Sequence, residues 1–166
     1  MRTWLFGAAT LVGATLAIAQ DAAPDADDRM FGPIAPLTIH TADGDAHVFH
    51  VELADEDNER SQGLMFRESL APDAGMVFDY GEDRVAAMWM KNTLIPLDMV
   101  FFDASGEIVS IARNARPHSE RIITSGAPVR GVLEIPAGRA TELGLKRGDR
   151  LEHFFLDATE PAERTR

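Results

Sequence analysis

The sequence predicts a mainly β fold, either an antiparallel sandwich or a partly open barrel, with two short helices. About seven short segments are rich in β-branched and aromatic residues, and Gly, Pro, Asn and Asp turn signals separate them at close spacing. No long helix alternates with these segments, so a parallel sheet is not expected. A length of 166 residues is enough for one domain with a real core.

The first predicted hairpin has strands at residues 37–41 and 46–53 around Asp43-Gly44. A type I′ turn at these two residues would pair Ile39 with Val48 and place His40 directly opposite His47. Two facing imidazoles form at most a weak candidate metal site, because two ligands rarely hold an ion. We favour a solvent-facing histidine pair, and we expect no metal.

The remaining elements follow from the same signals. Asp55 is the predicted cap of the first helix, and Gly63 near its end permits a close approach by another part of the chain. The segment 97–103 is apolar on both faces, which indicates a strand buried on both sides. The predicted elements are a helix over 55–66, strands over 76–80, 85–91, 97–103, 107–112, 129–135 and 151–156, and a helix from 136 to 143.

The N-terminal 19 residues have the pattern of a secretory signal peptide. Arg2 supplies a positive charge, an apolar run covers residues 4–18, and the residues at 17–19 read A-x-A. The run is too short and too diluted by Gly and Thr to favour an uncleaved membrane anchor. We therefore expect a periplasmic or secreted protein with no stable membrane insertion after signal cleavage.

The predicted domain organisation has three further parts. Residues 20–35 are rich in Asp, Ala and Pro and indicate a disordered linker. Residues 36–157 form the single mainly β domain, and residues 158–166 form a polar tail.

The composition excludes several classes of protein. A net charge of −11 argues against a nucleic-acid binder and against adhesion to anionic membranes. The chain has no cysteine, which excludes a lipid-modified N-terminal Cys, disulfides and thiol catalysis. No phosphate-binding loop, G-x-S-x-G, H-E-x-x-H or EF-hand spacing is present, and no cofactor is expected.

The stretch over residues 88–103 is the predicted centre of the core and of the site. It is strongly apolar, yet it contains Lys91, Asn92, Thr93 and Asp98. Polar groups buried with apolar ones need partners, so such a stretch indicates either structural ion pairs or a binding site. Trp89 lies in the same stretch and is either core or a stacking platform for a ligand.

Two carboxylates and one cation extend this candidate site. Asp98 and Glu134 both lie in mostly apolar strands, where an ionised carboxylate is costly unless it is paired. Arg67 follows a buried apolar run and is expected to reach an anion. In the structural interpretation, which we favour, Arg67 or Lys91 neutralises Asp98. In the catalytic alternative, Asp98 and Glu134 flank a cleft as general acid and base, as in glycan hydrolysis.

Several ordered motifs resemble one known family. The chain contains Gly-Leu-Met-Phe-Arg at 63–67, Gly-Met-Val-Phe at 75–78, Trp-Met-Lys-Asn-Thr at 89–93, Pro-Leu-Asp at 96–98, Val-Leu-Glu at 132–134 and Gly-Asp at 148–149. Together they resemble the domain of unknown function 192 over roughly residues 37–156. The resemblance implies a compact, mainly β, often exported domain with no agreed activity. It places Arg67, Trp89, Lys91, Asn92, Thr93, Asp98 and Glu134 in motif positions without giving them roles.

The leading functional hypothesis is an exported binding module without enzymatic activity. Its expected partner is a small molecule, a glycan or an envelope protein, held by Arg67, Trp89, Lys91, Asn92, Thr93, Asp98 and Glu134. The alternatives are the glycan-directed hydrolase using Asp98 and Glu134, and a structural or assembly role.

Overall fold

The computed structural model describes residues 34–153 and Leu156, and in this part of the chain it has seven strands and two helices. The strands are β1 (Ala35–His40), β2 (Ala46–Ala54), β3 (Ala74–Met88), β4 (Leu97–Phe102), β5 (Ile108–Ala115), β6 (Ile123–Pro136) and β7 (Arg150–Glu152). The helices are α1 (Asp57–Gln62) and α2 (Arg139–Glu142). The mainly β class with two short helices is confirmed.

The strands form one mixed sheet in the order β5-β4-β6-β3-β2-β1-β7, curled into a half-barrel. The two outer strands approach each other at one end, where Glu107 and Arg150 form an isolated antiparallel bridge. The Ile108 amide donates to the Asp149 carbonyl at 2.8 Å beside it. Of the two expected architectures, the partly open barrel is therefore the one observed.

The pairings are antiparallel except for β2 and β3, which are parallel and are joined through α1. A parallel sheet was not expected, because no long helix alternates with the predicted strands. Here a six-residue helix is enough. Gly63 ends this helix so close to the sheet that a Cβ atom would lie 2.8 Å from Cζ of Phe78. The crossover thus places α1 over the sheet.

The predicted register of the first hairpin is wrong by one residue. Ile39 pairs with His47, and His40 pairs with Ala46. The hairpin loop is longer than the expected two residues. The Thr41 amide donates to the Asp45 carbonyl at 2.9 Å, and the Asp45 amide donates to Oγ1 of Thr41 at 3.1 Å. His40 instead places Nε2 2.9 Å from a carboxylate oxygen of Glu152. The facing histidine pair does not exist.

Within the described part of the chain, no group of three or more His, Cys, Asp and Glu side chains is placed to hold a metal ion. None of the helices described there is long and apolar enough to cross a membrane.

Other element boundaries also differ from the predictions. α1 is capped by Glu56, not Asp55, and a capping box with Glu59 replaces the expected cap. β3 continues through Gly81 with a shift of register, where the sequence predicted a break. β3 ends at Met88, so Trp89 and Lys91 lie outside a strand. β7 is shorter than predicted, and β5 and β6 are longer than predicted.

The sheet buries apolar side chains on both faces. The inner core, inside the half-barrel, receives side chains from all seven strands and is closed by α2. Its largest members are Leu37, Ile39, Phe49, Phe102, Ile108, Leu133 and Ile135. The outer core lies on the opposite face under α1 and residues 88–97, with Leu64, Met76, Phe78, Met90, Leu97, Met99 and Phe101. All six residues of β4 are buried, as expected for a strand covered on both sides.

The signal peptide at residues 1–19 and the polar tail at residues 158–166 lie outside the described residues, as does the linker up to residue 33. β1 begins at Ala35, which is the last residue assigned to that linker.

Candidate functional site

Asp98 is part of the architecture of the inner core. Its side chain is fully buried, and its two carboxylate oxygens accept hydrogen bonds from the amides of Asn114, at 2.8 Å, and Ala140, at 2.9 Å. These bonds tie β4 to β5 and to the start of α2, and charge-assisted bonds of this kind stabilise a buried carboxylate. A structural role for Asp98 agrees with the favoured interpretation. The prediction that Arg67 or Lys91 neutralises Asp98 is wrong, because backbone amides bind this carboxylate.

Glu134 lies on the other side of the sheet from Asp98. In the β4–β6 pair Asp98 is opposite Ile135, whereas Met99 is opposite Glu134. Directly paired residues share a face, and successive residues of a strand point to opposite faces. The two carboxylates therefore do not flank one cleft, and the acid–base pair required by the hydrolase alternative is contradicted.

Glu134 is a buried acid in an apolar setting. Met76 of β3 and Met99 of β4, both fully buried, are its directly paired neighbours. The Glu134 residue is 4% exposed, and no cation among the described residues forms an ion pair with its carboxylate. Burial raises the pKa of the Glu134 carboxyl from 4.5 to about 8. At neutral pH this side chain is therefore mostly the uncharged acid.

A cavity of about 180 Å³ opens above Glu134, between α1, β3 and the residues that follow β3. Its walls combine apolar and polar side chains, and Trp89, which is 49% exposed, stands at its rim. Thr93 in this wall is buried, and its hydroxyl donates to the Lys91 carbonyl at 3.5 Å. Among the described residues, the lining consists of Arg60, Ser61, Gln62, Leu64, Met65, Phe78, Ala87, Met88, Trp89, Thr93 and Glu134.

Among the described residues of the cavity wall, Arg60 is the only cation, and it is engaged in other interactions. Its guanidinium donates to the Asp57 carboxylate at 2.5 Å, to the Asp79 carbonyl at 2.8 Å and to the Asp55 carbonyl. A second groove of about 410 Å³ shares this arginine and continues past Tyr80 and Arg84. Because the Arg60 charge is balanced locally, it gives the cavity little preference for anions.

Arg67, a predicted site residue, lies outside the cavity wall. It is 6% exposed and bonds to Glu52 at 2.7 Å, which makes a buried ion pair on the outer face. Its Nε is buried without a hydrogen-bond partner in the described part of the chain. The expectation that Arg67 reaches an anion is confirmed, but the anion is Glu52.

Lys91 and Asn92 lie near the cavity without lining it. Both are exposed, and the Lys91 ammonium is 6.0 Å from the centroid of the Trp89 ring, at the limit of a cation–π contact. Asn92 has a left-handed backbone, with φ of 57°, and its carbonyl accepts the amide of Phe66 at 2.9 Å. Phe66 is left-handed as well and is 61% exposed. This bond joins the turn after α1 to the turn after β3.

The structure thus brings together three of the seven predicted site residues, namely Trp89, Thr93 and Glu134. Sequence reasoning missed the residues that α1 contributes, such as Arg60 and Gln62. The sequence did predict this helix. Its position over the sheet depends on the parallel pairing of β2 and β3, which the sequence did not predict. His118 lies beside Thr93, is exposed and has a left-handed backbone, and its amide donates to the Thr93 carbonyl at 3.2 Å.

Comparisons with known proteins agree with the fold. The model of the family described as "Uncharacterized ACR, COG1430" (DUF192) matches residues 38–153. A crystal structure from Sinorhizobium meliloti 1021, of a protein provisionally named a transcription regulator, is 50% identical with a TM-score of 0.71 and covers 73% of this chain and 95% of that one. A protein of unknown function from Novosphingobium aromaticivorans DSM 12444 is 39% identical with a TM-score of 0.72, covering 85% of this chain and 100% of that one. No curated protein matches.

Proposed function

The chain belongs to the DUF192 family, whose function is unknown, and we propose that it is an exported binding module for a small ligand that enters the cavity between Trp89 and Glu134. The observation that carries this proposal is the position of Glu134. A buried acid without a cationic partner among the described residues costs folding free energy, and perturbed groups of this kind cluster at functional sites.

The form of the cavity supports a ligand rather than a structural void. The cavity combines apolar and aromatic side chains with several convergent polar groups, as small-molecule sites do. A cavity of about 150 Å³ holds a molecule the size of benzene, so about 180 Å³ takes a ligand, or one group of a larger ligand, with about six non-hydrogen atoms. A single sugar ring of a glycan or one side chain of an envelope protein would meet the same requirement, with Trp89 as the stacking surface.

The test is a titration of the purified protein with a library of fragments of this size, observed by two-dimensional NMR. We expect binders to shift the indole signal of Trp89 and the amide signals of Thr93 and Glu134. Ala87→Leu is the blocking variant, because Ala87 lines the cavity and is exposed, so the larger side chain fills space without disturbing the core. Val85→Leu, at an exposed position on the same strand outside both cavities, is the matched control.

The fragments should bind the wild type and the Val85→Leu variant and should fail to bind Ala87→Leu. If no fragment shifts these signals, or if Ala87→Leu binds as well as the control, the binding module is rejected. A structural or assembly role would then remain.

Export is the second part of the proposal, and the N-terminal pattern at residues 1–19 supports it. We expect the protein recovered from the periplasm to have lost these residues, which mass spectrometry measures directly. A variant with Ala17 and Ala19 both changed to Leu lacks the A-x-A pattern and should remain uncleaved. Wild-type protein found uncleaved in the cytoplasm would refute export and leave the cavity proposal intact.

The provisional name of the relative from Sinorhizobium meliloti suggests a different class, a DNA-binding regulator. The net charge of −11 does not favour contact with phosphates, so we do not extend that function to this chain.

A further inference from the structure

The cavity above Glu134 combines a buried acid with an aromatic rim, and none of the described residues in its wall is an unbalanced cation. We propose that it selects a small organic cation, such as a primary ammonium group, which Glu134 and Trp89 bind between them. This inference rests on the proposed function and narrows it to one class of ligand.

The first argument is the balance of charge around the cavity. Each cation on the elements packed against Glu134 already has an anionic or aromatic partner: Arg67 with Glu52, Arg60 with Asp57, Arg130 with Asp79, and Arg84 with the ring of Tyr80. Glu134 alone among these carboxylates lacks a cationic partner in the described part of the chain. An entering cation could pair with the ionised Glu134 carboxylate. An anion would find none of the four arginines unpaired.

The second argument is the surface that the cavity offers to a cation. Two aromatic residues and two methionines line the wall, namely Trp89, Phe78, Met65 and Met88. Aromatic rings attract ammonium groups, and the attraction strengthens as water is excluded. The Lys91 ammonium already lies 6.0 Å from the centroid of the indole ring, so this ring has a cation beside it in the structure itself. The net charge of −11 would also draw cations toward the protein.

Binding of a cation must be coupled to the loss of a proton. Burial holds Glu134 in the uncharged form at pH 7, because its pKa is about 8. A cation would pair with the ionised form, so the carboxyl releases its proton to solvent as the ligand enters. The affinity for a cation therefore rises by about tenfold per pH unit below pH 7 and levels off above pH 8. A neutral hydrogen-bond acceptor would show the opposite trend, since it needs the protonated acid as a donor.

The test compares three probes of one size: n-butylammonium, n-butanol and butyrate. Each is titrated into the protein at pH 6, 7 and 8.5, and the dissociation constant is read from the NMR shifts of Trp89. The ¹³C signal of the Glu134 carboxyl is followed at the same time, because it reports ionisation directly. We expect n-butylammonium to bind best, to bind about tenfold more tightly at pH 7 than at pH 6, and to shift the carboxyl signal to that of the ionised form.

Glu134→Gln is the matched variant, since it keeps the shape of the side chain and cannot ionise. It should lose at least tenfold in affinity for n-butylammonium and should bind n-butanol as the wild type does. Ala87→Leu should abolish binding of any probe, and Val85→Leu should leave it unchanged.

Tighter binding of n-butanol or butyrate than of n-butylammonium would overturn the inference while the binding module stands. The absence of binding by all three probes would also overturn it, and the wider fragment titration would then decide the proposed function separately. An affinity for n-butylammonium that does not change between pH 6 and pH 8.5, or that survives Glu134→Gln, would place the cation elsewhere and reject the role of Glu134.

Discussion

Asp98 and Glu134 lie one residue apart in register on neighbouring strands, yet their side chains enter different cores. Asp98 points into the half-barrel, where two backbone amides bind it, and Glu134 points into the outer core beside the cavity. Each carboxylate is almost fully buried, so burial alone does not distinguish them. Their surroundings do. Asp98 accepts two backbone amides, whereas Glu134 lines the cavity between α1 and β3.

The first prediction concerns the pH dependence of stability through Glu134. The folded-state pKa of about 8 lies above the ordinary value of 4.5, so between these values the folded protein holds a proton that the unfolded chain has lost. The stabilisation is complete below about pH 4.5 and is lost as the pH rises toward 8, at about 1.4 kcal/mol per pH unit. Glu134→Gln removes this dependence.

Urea unfolding of the wild type and Glu134→Gln at pH 5, 6.5 and 8 measures the effect. The variant should gain stability relative to the wild type as the pH rises, and titrations shared by both proteins cancel in the difference. A constant difference between the two proteins across this range would show that Glu134 does not titrate there.

The second prediction concerns Asp98. In Asp98→Asn one carboxylate oxygen becomes an NH₂ group, which cannot accept the amide hydrogen of Asn114 or Ala140 that faces it. A buried donor left without an acceptor and a lost charge-assisted bond should cost about 2–4 kcal/mol of unfolding free energy. Asp45→Asn is the control, because Asp45 is exposed and undergoes the same change of charge.

Urea denaturation at one pH gives both values. Asp45→Asn should change the free energy of unfolding by no more than about 0.5 kcal/mol. Equal stability of Asp98→Asn and the wild type would show that the two amide bonds do not hold β5 and α2 to β4.

The third prediction concerns the buried ion pair of Arg67 and Glu52. Arg67→Met leaves the Glu52 carboxylate buried without its cation and should cost about 3–5 kcal/mol. The double variant Glu52→Gln with Arg67→Met removes the stranded charge and should recover most of this loss. Chemical denaturation of the two single variants and the double variant completes the thermodynamic cycle, and additive losses would argue against direct coupling.

The fourth prediction concerns the left-handed backbone of Phe66. Its φ of 65° is strained for an aromatic residue, and with 61% of its surface exposed the side chain contributes little packing. Asn tolerates this conformation, so Phe66→Asn should raise the free energy of unfolding by about 0.5–1 kcal/mol. Asn92 is also left-handed, and its carbonyl accepts the Phe66 amide. Asn92→Ala should therefore lower the free energy of unfolding by a similar amount. Thermal unfolding of both variants measures the two opposite changes.

Local chemistry accounts for what the sequence by itself determined. Strand propensity and turn residues predicted a mainly β domain with two short helices, and the apolar run of β4 predicted its burial on both faces. The family followed from ordered motifs, and the same motifs contained Trp89, Thr93 and Glu134. These features depend on neighbours in the chain, which a single sequence displays.

Only the tertiary structure decided which of those residues form a site. One residue of difference in a hairpin register separated His40 from His47, and alternation along β4 and β6 sent Asp98 and Glu134 to opposite faces. The parallel pairing of β2 and β3 carried α1 over the sheet and built the cavity wall. Pairing of this kind depends on contacts between residues far apart in the chain, and a shift of one residue reverses every side chain, so local patterns alone do not determine it.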